Sequence, residues 1–279
     1  MVDVVSASAA PLLAFDTSTE ALVVAVCGPA GGQTLIAAGG AAASAHLLPQ
    51  ALQLLAQAHL TLQDLRAIAF GSGPGAFTGL RTACAVAQGL GLGLGVPLLP
   101  LDSLLLVAED ARLQAGGATN AVNANANAGA GDFVVVMDAR MNEVYAGVYR
   151  WLPNGPDTGP AGGLWQALRP PALYDLDSLA QVWNGLARPV VAGSALAAFG
   201  HRLLLPADST CFPTERNRGA ALLRLAQRAW AAGQGVDAAQ ALPFYGRDKV
   251  AQTTQERAQA REKADEQANE QALKKARVP

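Results

Sequence analysis

The sequence predicts an α/β fold of two lobes, each a mixed sheet with helices. Three features point there. Residues 71–81, GSGPGAFTGLR, place glycines and a proline directly after an apolar strand-like run, Ile68 to Phe70, and before a helix-compatible segment, Leu80 to Leu90. Two separate stretches open with strand patterns around a turn that carries an aspartate, Asp16 in the first and Asp138 in the second. Between them, residues 114–131 are almost entirely Ala, Gly and Asn with almost nothing to bury. Consecutive strands joined by short turns make antiparallel meanders, and strand–turn–helix units add parallel strands beside them.

Pro11 opens three strand candidates, Leu12–Phe15, Ala21–Cys27 and Gln33–Ala37, joined by the turns Asp16–Glu20 and Gly28–Gly32. A helix over about Ala45–His59 sets Gln50, Gln53 and Gln57 on one face and Leu48, Leu52 and Leu55 on another. Pro49 is tolerated there if the helix begins at or after Ala45, because its missing N–H then belongs to the first turn. A strand at Ala67–Phe70, the glycine turn, a second helix ending among Gly89, Gly91, Gly93 and Gly95, and a strand at Val96–Leu99 complete a β-β-β-α-β-α-β unit. Asp102 is placed to cap a third helix through about Leu113.

The second lobe repeats the opening with Phe133–Met137 and Glu143–Tyr149 as a hairpin. A Pro/Gly-rich connection over 151–171 follows, then a helix at Leu176–Trp183, a strand at Pro189–Ala192, a helix at about Ala195–Leu204 and one at Arg218–Ala232. The expected organisation is an extension over 1–11, a first lobe over 12–101, a second lobe over 102–251 with a flexible insertion at 114–131, and a charged, solvated tail over 252–279. Two lobes that each begin with an aspartate-bearing meander suggest a duplicated ribonuclease-H-like architecture. That topology sets the two opening turns opposite each other across a cleft.

Composition narrows the function classes. The 279 residues suffice for one large domain or two smaller ones. Lys plus Arg number 20 against 22 Asp plus Glu, so the net charge of −2 gives no broad field for steering onto nucleic acid. Cys27, Cys84 and Cys211 are widely spaced and read as reduced thiols of a cytoplasmic protein. No Lys or Arg precedes Arg66, which argues against a secretory signal. The apolar run Ala83–Leu101 is interrupted by Gln88, four glycines, Pro97 and Pro100, and no membrane span is expected from it. Each interior glycine costs a helix about 1 kcal/mol and a proline about 3.

Several residues are candidates for chemistry. The turn Asp16-Thr17-Ser18-Thr19 supplies a carboxylate and hydroxyls that could hold hydrated magnesium and touch phosphate, or it is an ordinary turn. Gly73 and Gly75 belong to a glycine turn that can aim N–H groups at an anion or let another backbone approach closely. It is neither a Walker A loop nor GxSxG. Asp138 could oppose Asp16, with Arg140 as an anion contact, and Gly193 could abut an adenosine. The histidines His46, His59 and His201 form no HxxxH or HExxH pair, so nothing supports a metal centre. The second helix presents Thr82, Ala83, Val86, Ala87 and Gly89, small side chains that allow close helix packing. Together with Leu48, Leu52 and Leu55 they form a candidate association surface. A specific interface needs roughly 1,600 Å² in total, within reach of two such helices per partner.

Four segments in order, LAFDTSTE at 13–20, GSGPGAFTGLR at 71–81 with AQGL at 87–90, DARMNEVY at 138–145 and PFYGR at 243–247, resemble the TsaB family of bacterial tRNA threonylcarbamoyladenosine biosynthesis proteins. The similarity spans about 12–251. It implies an actin-like fold of the sugar-kinase and chaperone class, and a non-catalytic scaffold subunit in the cytoplasm. It further implies that the subunit binds a TsaD-like catalytic partner through its first-lobe helices, joined by a nucleotide-binding TsaE-like ATPase. That partner transfers a threonylcarbamoyl group to adenosine beside the tRNA anticodon and holds its metal with an HxxxH pair, which this sequence lacks. The expected chain has no cofactor of its own, with ATP and magnesium possible in the complex, meets tRNA only indirectly, and forms a homodimer when alone. Two alternatives use the same residues: an ATP-dependent small-molecule kinase working at Asp16, Asp138 and Gly193, and, with less support, a metallopeptidase.

Overall fold

The computed structural model describes residues 10–116, 131–153 and 163–246. The expected N-terminal extension and charged tail, and nearly all of the Ala/Asn insertion, lie outside them.

The first sheet begins with a meander of β1 (Leu12–Asp16), β2 (Ala21–Gly28) and β3 (Gly31–Ala38). After α1 (Ala43–Gln57), β4 (Ala67–Gly73) joins β1 in parallel, and after α2 (Phe77–Leu94), β5 (Leu98–Asp102) joins β4. The order is β3-β2-β1-β4-β5. Strand side chains alternate between faces, and both faces of β1, β2 and β4 are buried, while the edge strand β3 is largely exposed. Leu13, Phe15, Val24 and Phe70 meet α1 and α2, while Leu12, Ala14, Val23 and Ala69 point the other way.

The second sheet repeats this plan. β6 (Gly131–Asp138), β7 (Glu143–Leu152) and β8 (Leu164–Asp175) form a meander, and β9 (Val190–Ala192) and β10 (Thr210–Phe212) add in parallel beside β6. Its order, β10-β9-β6-β7-β8, is the first sheet's order with every strand in the equivalent place. The molecule is a two-lobed α/β protein of the ribonuclease-H-like, actin-like class.

Two helices are shared. α3 (Ser103–Ala115), capped by Asp102 as expected, buries Leu106 against the first sheet and Leu104, Val107 and Ala111 against the second. α5 (Arg218–Ala231) follows the second sheet in sequence yet lays Leu222, Leu225, Ala226 and Ala229 on the first. Val236 then bridges to Leu98, and Ala238 and Ala241 enter the first lobe's core.

Several expected elements differ. α1 starts at Ala43, so Pro49 sits inside it, and the buried Leu47, Ala51, Leu54 and Leu55 hold the helix in spite of the lost bond to the Ala45 carbonyl. α2 runs through Gly89, Gly91 and Gly93 and ends at Gly95, which takes the left-handed conformation a helix C-terminus favours. The connection over 151–171 contains most of β8; Pro170 and Pro171 fit there because β8 is an edge strand with an irregular register beside them. Residues 176–183 form only a 3-10 turn at Leu179–Gln181, and 195–204 shorten to α4 (Ala195–Phe199) and a 3-10 turn.

Candidate functional site

The carboxyl ends of β1, β4 and β5 meet at the point where the strand order reverses, the position where open α/β sheets place ligands. Asp16 ends β1 there, fully buried. Ser18 donates its hydroxyl to Asp16 Oδ2 (3.0 Å) and its N–H to Oδ1 (3.3 Å), and Ser103 donates to Oδ1 (3.4 Å). The largest partner comes from 202 residues away. Arg218, the first residue of α5, donates Nε (2.9 Å) and Nη2 (2.7 Å) to Asp16 Oδ2, and Nη2 also reaches Ser18 Oγ (3.0 Å). Its Nη1 pairs with Glu215. Burial alone lowers a guanidinium's pKa, but the Glu215 and Asp16 carboxylates carry that of Arg218 above its ordinary value.

The glycine turn closes over this pair. A Cβ at Gly71 would collide with the Asp16 carboxylate, at Gly75 with the Ser18 carbonyl and at Gly79 with the Thr17 carbonyl. Thr17 donates its hydroxyl to the Gly79 carbonyl (2.7 Å), and the Ala76 N–H donates to the Ser18 carbonyl (2.7 Å). Gly73, at φ +117°, leaves room for the Phe244 carbonyl, and the Phe244 N–H donates to the Ser72 carbonyl (2.6 Å). Of the two readings open for this turn, close backbone approach is the one observed. Next to it, Arg81 lies 3.9 Å over the Phe77 ring and donates to the Tyr245 hydroxyl (3.2 Å).

Asp16 and Ser18 therefore meet around Arg218, while Thr17, Gly73 and Gly75 make close backbone contacts with Gly79, Phe244 and Ser18. Asp138, Arg140 and Gly193 lie at the matching turn of the second lobe. Asp138 is partly exposed, receives the Arg140 N–H (2.8 Å) and donates its own N–H to Ser194 (3.1 Å). The exposed Arg140–Glu20 pair (3.7 Å) shows the two opening turns facing each other. A Cβ at Gly193 would collide with the Val136 carbonyl, so that glycine serves the contact between β9 and β6.

The candidate association surface divides. Ala83, Ala87 and Leu55 are sealed in the first lobe's own core and cannot touch a partner. Leu48 and Leu52 are 38% and 43% exposed; Thr82 and Val86 are half-buried, and Gly89 is exposed. Leu92, at 64%, extends the face. The split follows helix geometry: residues four apart share a face, so Ala83, Ala87 and Gly91 turn inward together while Ala85, Gly89 and Leu92 turn out.

Residues 40–158 match the family model described as "TsaD: tRNA N6-adenosine threonylcarbamoyltransferase". The tRNA threonylcarbamoyladenosine biosynthesis protein TsaB of Escherichia coli is 28% identical over 257 residues, covering 86% of this chain and 96% of that protein. The Haemophilus influenzae TsaB is 37% identical over 134 residues, about half of each chain (48% and 51%). The solved structure of YeaZ from Pseudomonas aeruginosa superposes with a TM-score of 0.68 at 33% identity, over 84% of this chain and 99% of that one. The chain belongs to the TsaB (YeaZ) family. For a TsaB-family chain the helix at Arg218 was read from the sequence, but its packing on the first sheet and its arginine at Asp16 were missed. One signal existed: a cation in the first turn of a helix opposes the helix dipole, and so asks for a carboxylate partner.

Proposed function

We propose that this chain is a non-catalytic partner subunit in the biosynthesis of threonylcarbamoyladenosine in tRNA. It binds a TsaD-like catalytic subunit through the exposed faces of α1 and α2, with a TsaE-like ATPase joining the pair, and pairs with itself when alone. It holds no cofactor of its own and meets tRNA only through the complex.

One observation carries the partner surface. Gly89 and Gly93 lie inside α2 with helical backbone, and a Cβ at either would meet nothing within 4 Å. Each glycine costs the helix about 1 kcal/mol relative to alanine, and nothing in the described chain requires either. Gly91 differs, because its Cβ would press on Leu98 at 2.7 Å. Glycines that the fold does not need, on the helix that exposes Leu92 and next in sequence order to the helix that exposes Leu48 and Leu52, suit a neighbouring helix that comes close. The names of the relatives and the family model support the pathway.

Co-purification with a TsaD-like protein tests this reading. The variant Leu48→Glu/Leu52→Glu stays folded with a cooperative melt, because both side chains lie at the surface and outside the core, and loses the partner. Undiminished complex formation by that variant removes the helix face as the docking surface.

A further inference from the structure

The carboxyl ends of the parallel strands in a fold of this class are where a metal-bound phosphate would be expected. The residues present do not fit one. Asp16 is the carboxylate that would hold the ion, and both of its oxygens are engaged, Oδ1 by Ser18 N–H and Ser103, Oδ2 by Ser18 and by two nitrogens of Arg218. Asp16 is wholly inaccessible and the Arg218 side chain is only 5% exposed, so the carboxylate offers no open face to a ligand from solvent. The turn that would wrap phosphate oxygens is filled as well. Its glycines accommodate the main chain of Thr17 and Ser18 and the Phe244 carbonyl. A hypothetical Cβ on Gly246 would lie 3.2 Å from Pro74 in the first lobe and 3.1 Å from Tyr145 in the second, so this segment runs between the lobes.

We infer that the cleft is self-occupied: the Arg218 guanidinium is a built-in cation on Asp16 that takes the place of a divalent ion, while Phe244–Gly246 fills the glycine turn. A planar guanidinium that donates two hydrogen bonds to one carboxylate neutralises it as an ion would, and it cannot dissociate. Because α5 follows the second sheet in sequence yet packs on the first, the internal cation fastens this late segment of the chain to the first sheet without any ligand. The self-filled cleft is independent of whether the outer helix face binds a partner.

Binding of Mn2+ to the full chain, followed by electron paramagnetic resonance, tests the inference. The parent protein leaves the spectrum of free aqueous Mn2+ unchanged, and Mg–ATP gives no heat in calorimetry. Arg218→Ala uncovers the carboxylate and binds one Mn2+ per chain, and its melting temperature rises with added Mn2+ or guanidinium ion. The neutral pair Asp16→Asn/Arg218→Ala binds neither. If Arg218→Ala does not fold, recovery of a folded protein by the neutral pair supports the assignment, and failure of the neutral pair to fold overturns it. Stoichiometric Mn2+ on the parent protein overturns it too, as does a folded Arg218→Ala chain indifferent to both cations. Loss of the TsaD-like partner would leave every one of these readouts unchanged.

Discussion

Asp102 performs two structural tasks with one carboxylate. Its Oδ1 accepts the Leu104 and Leu105 N–H groups at the start of α3, and its Oδ2 accepts the Tyr149 hydroxyl of β7 at 2.5 Å, which joins the lobes. Desolvation pushes its pKa from 3.8 up to about 6, against the lowering effect of the Tyr149 and backbone hydrogen bonds. Burial, followed by the charge of Asp102, holds the Tyr149 phenol well above its ordinary range, so Tyr149 stays a donor. An acid with a raised folded-state pKa binds its proton more tightly in the native state. Its contribution to stability is therefore full below about pH 4 and is lost as the pH rises through 6, on the order of 3 kcal/mol by neutral pH. Asp102→Asn keeps the helix cap and removes this titration. Urea midpoints measured from pH 4 to 7 should show the parent protein losing stability over this range relative to the variant. Identical slopes would place the titration elsewhere. Asp102 as a cap was legible from its position before a helical pattern; its bond to Tyr149 was not, because 47 residues separate the pair.

The helices on the first lobe separate core residues from surface ones within a single turn. Replacing Ala87, fully buried, by leucine forces extra volume into a close-packed core and costs about 1–3 kcal/mol, so any lost association by that variant reflects damage to the fold. Gly89→Ala acts oppositely. It raises the stability of the isolated chain by about 0.5–1 kcal/mol, because it removes backbone entropy from the unfolded state in a conformation alanine accepts. The same methyl group weakens a complex that needs close helix contact. Chemical denaturation and titration with the partner measure the two effects; a gain in stability with no loss of affinity would show that Gly89 does not face the partner. At this scale the elements of the first lobe could be read because β1, β2 and α1 carry strong apolar patterns. β8 and β10 could not. Two prolines disguise the first, and the second is three residues long at a sheet edge. Segment 176–183 has helical spacing, yet its apolar Leu179, Val182 and Trp183 are buried from a single turn.

The whole molecule depends on a helix that arrives late. The second face of the first sheet is covered by α3 and by Leu222, Leu225, Ala226 and Ala229 of α5. A fully buried leucine contributes about 1.5–3 kcal/mol, so the two leucines alone amount to a large part of the 5–15 kcal/mol by which a domain is typically stable. Asp110 of α3 adds the cap that starts this helix, accepting the Arg216 (3.2 Å) and Asn217 (2.5 Å) N–H groups. Arg228 of α5 lies 3.2 Å from Glu109, which burial would raise in pKa but which Arg112 and Arg228 bring below the ordinary range. Sequence order places α5 with the second lobe, whereas packing gives it to the first; no local pattern reveals this, because an amphipathic helix does not specify which sheet it covers. A fragment of residues 10–116 thus carries every strand of the first sheet and α3, but exposes the part of the sheet face that α5 covers. It is expected to bind a hydrophobic dye and to melt without a cooperative transition. Joining residues 213–246 to it through a short flexible linker restores the cooperative melt and the near-ultraviolet signal of ordered aromatic side chains. Cooperative melting by the unassisted fragment would show that the first lobe folds without α5, and would reduce the shared helix from a part of the core to a clasp.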